Sequence, residues 1–374
     1  MKSGMARRAA AAVFLVALSA LLVLYLILQA PIGSRPTSQP VTLVAVGDSI
    51  GYRVRVENLS NLTSIIGATD IFIFNLEGVL DNSSNGSLAC EGFPNQSTLR
   101  SDEAFALYLK VAPVTIANLA NNHALDCGSE GLTRTLRVLS QSNIFAVGAG
   151  LNLTEACQPL LVQIRDWRIA FVSYDFVIPE LVAATPNNPG VATFDGCRHD
   201  YAKIRSEGVD LVVASIHYGF WSSEVTEEQA RIVSGLLGAG VDVVIEHSPH
   251  MPQALMAKDG RVAFFSLGNF IFRPDYQMPT LAYTSIVPRI SFFKDRMDVV
   301  IRPIRIDTDG IPHLDAGTET IQRIAEASVA FNTVLRMEGN VGYLSIVRSA
   351  SVTSTLVAAT KQEVRFFDAI ASCD

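Results

Sequence analysis

The chain is predicted to be an α/β protein in which strands and helices alternate in layers. Three observations carry this. Short apolar runs bounded by turn residues recur at 41–46, 71–74, 114–117, 144–147, 169–173, 211–216, 241–245 and 262–266. Helical patterns fill several of the gaps, and the polar residues gather just past the apolar runs. Strands alternating with helices predict a mainly parallel sheet. Ligands of such sheets bind outside the carboxyl ends of the strands.

The first thirty residues are a membrane address rather than fold. Lys2, Arg7 and Arg8 precede AAAAVFLVALSALLVLYLIL at 9–28, which is 20 residues without a charge and long enough to cross a hydrocarbon core. The apolar run exceeds that of a usual cleaved signal, and Leu28-Gln29-Ala30 is a poor cleavage site. Cations ahead of the span predict a cytoplasmic N terminus, an uncleaved single-pass anchor in the cell membrane and an extracytoplasmic body. A cleaved signal is the alternative. Residues 31–40 carry three prolines, a glycine and two serines and read as an extended linker.

The body divides into a main part at 41–275 and a C-terminal elaboration at 276–374. The first run ends in Gly47-Asp48, the second leads into Asn75-Leu76-Glu77, and the third leads into Asn121-Asn122-His123. A helix is then expected from Gly128 to Ser142, with Leu132, Leu136 and Leu139 on one face. Past the later runs come His217, the segment Glu246-His247-Ser248-Pro249-His250, and Asn269. Between them Thr226, followed three residues on by Gln229, marks a helix start. The last hundred residues read as a strand pair at 281–293 and 297–306 followed by a helix around 318–337.

Four of the six histidines therefore sit just past apolar runs; His199 and His313 do not and read as surface residues. Asp, Glu, Asn and His together are the donor set of Mn, Fe or Zn. A carboxylate shared by two cations about 3.5–4 Å apart is the usual two-metal hydrolytic arrangement.

Composition sets further bounds. The net charge is −7, and without Lys2, Arg7 and Arg8 the remaining 26 cations face 36 carboxylates, a balance of −10. Nucleic acid is excluded as a partner of the body on that balance. Sequons at Asn58, Asn61, Asn82, Asn85, Asn95 and Asn152 predict a glycoprotein if the body is exported. The five cysteines, Cys90, Cys127, Cys157, Cys197 and Cys373, lack C-x-x-C spacing. One or two disulfides of unassigned pairing are expected outside the cell, with at least one thiol left over.

These residues resemble the capsule-synthesis CapA family, associated with poly-γ-glutamate capsules. The matching pieces are GDSIGYR (47–53), FNLEGVL (74–80), LANNHALDCGSEGLTRTL (119–136), VGAGLNLTEACQP (147–159), SIHYG (215–219), GAGVDVVIEHSPHMPQ (238–253) and FFSLGNFIF (264–272). The resemblance implies a calcineurin-like metallophosphatase fold, its sheets layered with helices outside, and a bound divalent metal. It implies Asp48, Glu77, Asn122, His217 and His250 as metal ligands, with Glu77 bridging, and His123 as an acid facing the substrate. Arg53 would clamp an anionic oxygen and Asn269 would line the pocket floor.

The chain departs from the family at two points. Ser248 stands where a histidine is usual, with His247 beside it as a substitute ligand whose side chain starts from the opposite side of an extended backbone. Trp221 replaces a glutamate that the family often has. Ile50 gives no histidine two residues after Asp48, and there the family itself usually has none. A site reduced to one cation, or emptied, is the expectation these set. The leading reading is an anchored metal-dependent hydrolase or transferase acting on an anionic surface polymer or its precursor. The alternatives are a non-catalytic polyanion-binding or export accessory module, and a glycosylated surface protein.

Overall fold

A computed structural model describes residues 39–81, 90, 97–273 and 278–348. The anchor predicted at 1–30, most of the linker, the sequons at Asn82, Asn85 and Asn95, and Cys373 lie outside these residues. Among the described residues no helix is long and apolar enough to cross a membrane. From Pro40 onward the chain forms one unit.

Each of the eight apolar runs forms a strand. In order the chain makes β1 (Val41–Ser49), β2 (Ile71–Leu76), β3 (Val114–Asn118), β4 (Phe145–Val147) and β5 (Leu160–Ile164). It continues with β6 (Trp167–Asp175), β7 (Leu211–His217), β8 (Val243–His247), β9 (Leu255–Lys258) and β10 (Arg261–Phe264). The C-terminal part adds β11 (Asn269–Ile271), β12 (Thr284–Phe292), β13 (Arg296–Ile306), β14 (Pro312–Leu314), β15 (Arg336–Glu338) and β16 (Val341–Val347). The main helices are α1 (Leu62–Ile66), α2 (Phe105–Leu109), α3 (Gly128–Gln141), α4 (Glu227–Ala239) and α5 (Glu319–Ser328).

The strands divide between two sheets, where alternation alone had suggested one. The first runs β15-β16-β13-β12-β1-β2-β3-β4, with β11 beside β1 and β14 beside β13; the second runs β9-β10-β8-β7-β6-β5. The reason lies in the strand faces. Side chains alternate across a strand, and here both faces are apolar. Leu43, Ala45, Ile71 and Ile73 of the first sheet share a core with Ile169, Phe171, Leu211, Val213, Val243 and Ile245 of the second. The alternate residues Val44, Val46, Phe72 and Phe74 turn outward onto Leu62, Phe105, Leu132 and Leu139 of α1, α2 and α3. On the other side Val172, Val212 and Ala214 meet Ile232, Val233, Leu236 and Leu237 of α4. The layers are therefore helix, sheet, sheet, helix.

Local signals explain the boundaries. α4 begins in the predicted capping box, Thr226 and Gln229 each bonding the other's backbone, and ends at Gly240, whose φ of 112° closes the last turn. The predicted strand pair near the C terminus is β12–β13, antiparallel, and β12 also pairs with β1 through Val41↔Phe292, so this region extends the first sheet. The helix expected over 318–337 is the shorter α5. Its chain then turns at Asn332, in the left-handed region, and re-enters the sheet as β15.

Two disulfides close, Cys90–Cys127 and Cys157–Cys197. His199 is half-buried rather than on the surface. The neighbouring Cys157–Cys197 bridge draws its segment inward, and its ring bonds Tyr174 Oη at 2.5 Å and Cys157 O at 2.6 Å. His313 is exposed and pairs with Asp307.

Candidate metal centre

Strand register builds the site as two rows. In the first sheet Asn269, Asp48, Asn75 and Asn118 are successive partners across β11, β1, β2 and β3. In the second, Asp175, His217 and His247 are successive partners across β6, β7 and β8. Apart from Asn269, which opens β11, both rows lie at the carboxyl ends of their parallel strands, so the polar residues meet between two sheet edges rather than along one. Gly47 makes this possible. A β-carbon there would stand 1.7 Å from Gly268 O, which instead accepts Asp48 N–H at 3.0 Å and brings β11 against β1.

The first row is wired by carboxamides. Asn75 Nδ2 donates to Asp48 Oδ1 at 2.8 Å and approaches His217 Nδ1 at 3.3 Å. Its Oδ1 accepts from Asn118 Nδ2 at 2.9 Å and Asn121 Nδ2 at 3.1 Å. Asn75 thus uses all of its donors and acceptors. Ser173 Oγ bonds Asn118 Oδ1 across the sheets and donates to Ser215 O. His217 Nε2 pairs with Asn122 Oδ1 at 2.9 Å, so with Nδ1 accepting from Asn75 the ring is neutral and protonated at Nε2. Its burial holds its pKa well below the usual histidine range.

Asp48, Glu77 and His250 supply ligand atoms that all lie within 4.8 Å of one another. His250 Nδ1 stands 3.1 Å from Asp48 Oδ2 and its Nε2 3.8 Å from Glu77 Oε1. His217 Nε2 and His123 Nε2 are each 3.9 Å from the same Glu77 oxygen. Glu77 is buried, and its other oxygen, Oε2, has no hydrogen-bond partner among the described residues. Such a group carries a desolvation penalty unless a cation meets it, so the donor set fits a divalent ion.

The charges are tuned accordingly. Burial would raise Asp48, but the hydrogen bond and charge of His250, then the charges of His247 and His217, hold it well below the ordinary carboxylate range. Burial, reinforced by Asp48, pushes Glu77 up to about 7. Burial opposes protonation of His250, yet Glu77 and Asp48 draw it up to about 9. His123 is also raised against its burial, by its 2.9 Å bond from Nδ1 to Asp126 Oδ2 and by the Glu77 charge.

His247 does reach the site. Its Nε2 bonds Ser215 Oγ at 3.1 Å and its Nδ1, otherwise unpartnered, stands 3.6 Å from Asp48 Oδ1. Burial lowers its pKa to about 4. The alternation argument fails just beyond it, because Ser248 and His250 adopt φ of 94° and 58° and the backbone is no longer extended. His247 and His250 therefore approach different oxygens of Asp48. Ser248 Oγ donates to Gly219 O at 2.8 Å, turned toward the loop after β7.

A cleft of about 430 Å³ opens over the centre, lined by Glu77, Asn122, His123, Ser248, His250 and apolar side chains that include Trp221 and Phe272. The Trp221 ring lies 4.3 Å from that of His250, centroid to centroid. Its loop is held by Gln253 Nε2, which donates to Ser222 O and Glu224 O, and Gln253 is itself bonded by Gln229.

Asn269 does not line this cleft. It is fully buried, with Oδ1 on His250 Nδ1 and Nδ2 donating to His250 O and Ala282 O, so it orients His250 from below. Arg53 is exposed beside a neighbouring cleft rather than over the carboxylates. Sequence reasoning passed over Asn75, Asn118 and Asn121 as ordering residues, Asp126 as the partner of His123, and Asp175. The spacing of three between His123 and Asp126 was a readable signal for one of them. Asp175 is buried, which raises it to about 7. Only its place at the end of an apolar run marked it.

Over 179 residues the chain is 31% identical to the PGA biosynthesis protein CapA of Bacillus subtilis, covering 46% of this chain and 47% of that protein. It is 28% identical over 170 residues to the capsule biosynthesis protein CapA of Bacillus anthracis, covering 44% and 41%. It spans about half the length of the curated relatives it matches. Among solved structures, a Haemophilus influenzae NAD nucleotidase aligns with a TM-score of 0.37 at 10% identity, over 74% of this chain and 49% of that one. The signature pieces that carry the two rows fall within residues 43–274, which match the family model of the bacterial capsule synthesis protein PGA_cap over more than half of the chain, and the protein belongs to that family.

Proposed function

We propose that this protein is a membrane-anchored, extracytoplasmic metal-dependent hydrolase or transferase of metallophosphatase type, working on an anionic surface polymer or its precursor. The observation that carries the reading is the convergence of Asp48, Glu77 and His250 around a buried carboxylate oxygen with no partner. A divalent ion of the Mn, Fe or Zn kind suits these donors, with His247, His217 and Asn122 next in reach. When bound, such an ion supplies Lewis acidity and a water whose pKa is brought near neutrality.

The chain's own residues do the rest. Asn75 and Asn269 fix Asp48 and His250, so the donors need no rearrangement. His123 donates Nδ1–H to Asp126, and because Asp126 and Glu77 favour the protonated ring, the imidazolium also carries a proton on Nε2 at the cleft, where it can be passed to a departing oxygen or nitrogen. Trp221 and Phe272 limit water around the reacting group. The two-sheet core with the site at its carboxyl edges supports the fold type, and the names of the relatives support the capsule setting. Residues 9–28 would hold the protein in the membrane, and exposed Asn58 would be open to a glycan. Asn152 caps a short helix through Glu155 N–H, so modification there would cost that cap.

Metal analysis of the purified full-length protein tests the reading. About one bound divalent ion per chain, lost in Glu77→Gln, is expected. Near-zero occupancy after reloading would remove it and leave the polyanion-binding module, which the Trp221 and Ser248 departures favour.

A further inference from the structure

The cleft over Glu77 and His250 has an unexpected wall for a protein of anionic polymers. Among the described residues lining it there is no lysine or arginine; the wall is Ile50, Leu99, Phe220, Trp221, Phe272 and Met278 around the polar centre. The cations stand one step away. A second cleft, also about 430 Å³, shares Ile50, Leu99, Phe272 and Met278 with the first and adds Tyr52, Arg53, Arg273 and Tyr283. Arg53 and Arg273 continue from it into a shallow basin with Arg55, Asn58 and Asp309.

Three features mark this as a built surface. Arg273 Nη1 donates to Arg53 O at 3.0 Å, which fixes the two arginines side by side. Arg53 is held at φ 60°, in the left-handed region that a long side chain seldom adopts, and its guanidinium lies 4.9 Å from the Tyr52 ring centroid. Local strain of this sort persists where the surroundings impose it, and it gathers at ligand sites. Among the described residues none of the three arginines has a carboxylate at ion-pair distance, a state they share with Arg168 and Arg261 but, unlike those, show side by side along one pair of clefts. Among the described lining residues three cations face one carboxylate, Asp309, on a body that carries a net −10.

We propose that Arg53, Arg55 and Arg273 form a subsite for a carboxylate- or phosphate-bearing segment of the substrate, adjoining the metal centre through the shared apolar wall. The reacting group would then sit between Trp221 and Phe272 without a cation of its own. The neighbouring acidic group anchors the chain, because planar guanidinium matches both carboxylate and phosphate oxygens. This rests on the hydrolase or transferase reading for the orientation of the substrate, but not for the binding itself.

The test is a titration of the full-length protein with two probes of similar length, an oligo-γ-glutamate and a linear polyphosphate. Wild type, Arg53→Gln, Arg55→Gln, Arg273→Gln, the triple variant and Glu77→Gln are compared. We expect each arginine substitution to weaken binding roughly tenfold, as loss of one charge-assisted contact would. The triple variant should also flatten the dependence on salt. Binding of the glutamate probe alone names carboxylate as the source, and of polyphosphate alone names phosphate; both support the subsite. Arginine-dependent binding that persists in a protein shown to hold no metal would keep the subsite while the catalytic reading falls. The proposal is overturned if neither probe binds, or if the triple variant, with an unchanged melting temperature, binds both as wild type does.

Discussion

Replacing Glu77 with Gln should make the metal-free protein more stable, and this separates a metal ligand from a structural carboxylate. Glu77 is an acid whose folded pKa, about 7, lies above its ordinary value of 4.5, first through burial and then through the charge of Asp48. Its ionisation therefore opposes folding. The penalty is absent below about pH 4.5 and complete above about pH 7. A difference of about 2.5 pH units corresponds to roughly 3 kcal/mol at pH 8. Glutamine keeps the volume and removes the charge. In chelator, Glu77→Gln should melt roughly 5 °C above wild type at pH 8 and level with it at pH 4.5. With manganese at a hundredfold its dissociation constant, wild type should recover about 2.7 kcal/mol, while the variant recovers little. Thermal unfolding at both pH values, with and without metal, reads all four states. A variant less stable than wild type in chelator at pH 8, or equally stabilised by manganese, would refute the reasoning.

Asn75→Ala leaves Asp48 Oδ1, Asn118 Nδ2 and Asn121 Nδ2 short of a buried partner, so denaturant unfolding should register a loss of about 3–6 kcal/mol; under 1 kcal/mol would mean that water fills the gap. His250→Ala should abolish metal binding while His247→Ala weakens it less than about tenfold, because His250 approaches both Asp48 and Glu77 and His247 only Asp48; equal losses by metal analysis would count against this ranking. Cys157→Ser with Cys197→Ser opens a loop of 40 residues and should cost roughly 3–4 kcal/mol, visible as a lowered melting temperature that reductant no longer changes.

Much of the fold was legible because its signals are local. Apolar runs marked β1 to β4, β6 to β8 and β10, though not the short parallel β11, and Thr226-x-x-Gln229 marked the start of α4 to the residue. Only the family resemblance implied layered sheets; the split into two was not legible in the strand pattern, because β1 and β2 look alike whether their second face meets a helix or another sheet. For the same reason the site was placed on one edge when it lies between two. Asp48, Glu77, His123 and His250 could be named from where they follow apolar runs, since strand ends are local facts. Asn269 and Arg53 were misplaced in space because each depends on a contact far along the chain: Asn269 lies beneath His250, and Arg53 packs beside Arg273. Ser248 could not be understood without its φ of 94°, which no residue type announces.

The asparagines explain how four ionisable groups can be crowded at the centre of a dry core. Asp48, Glu77, His217 and His250 need fixed orientations, and orienting them with further charges would have compounded the desolvation cost. A carboxamide offers two donors and an acceptor with no net charge. Asn75 bridges Asp48 and His217, Asn118 and Asn121 hold Asn75, Asn122 meets His217, and Asn269 meets His250. Every link in this lattice is neutral on at least one side. His250 offsets part of the charge on the two carboxylates, and Glu77 Oε2, without a hydrogen-bond partner among the described residues, is where that lattice stops. Its stopping at a carboxylate oxygen is what a cation site requires.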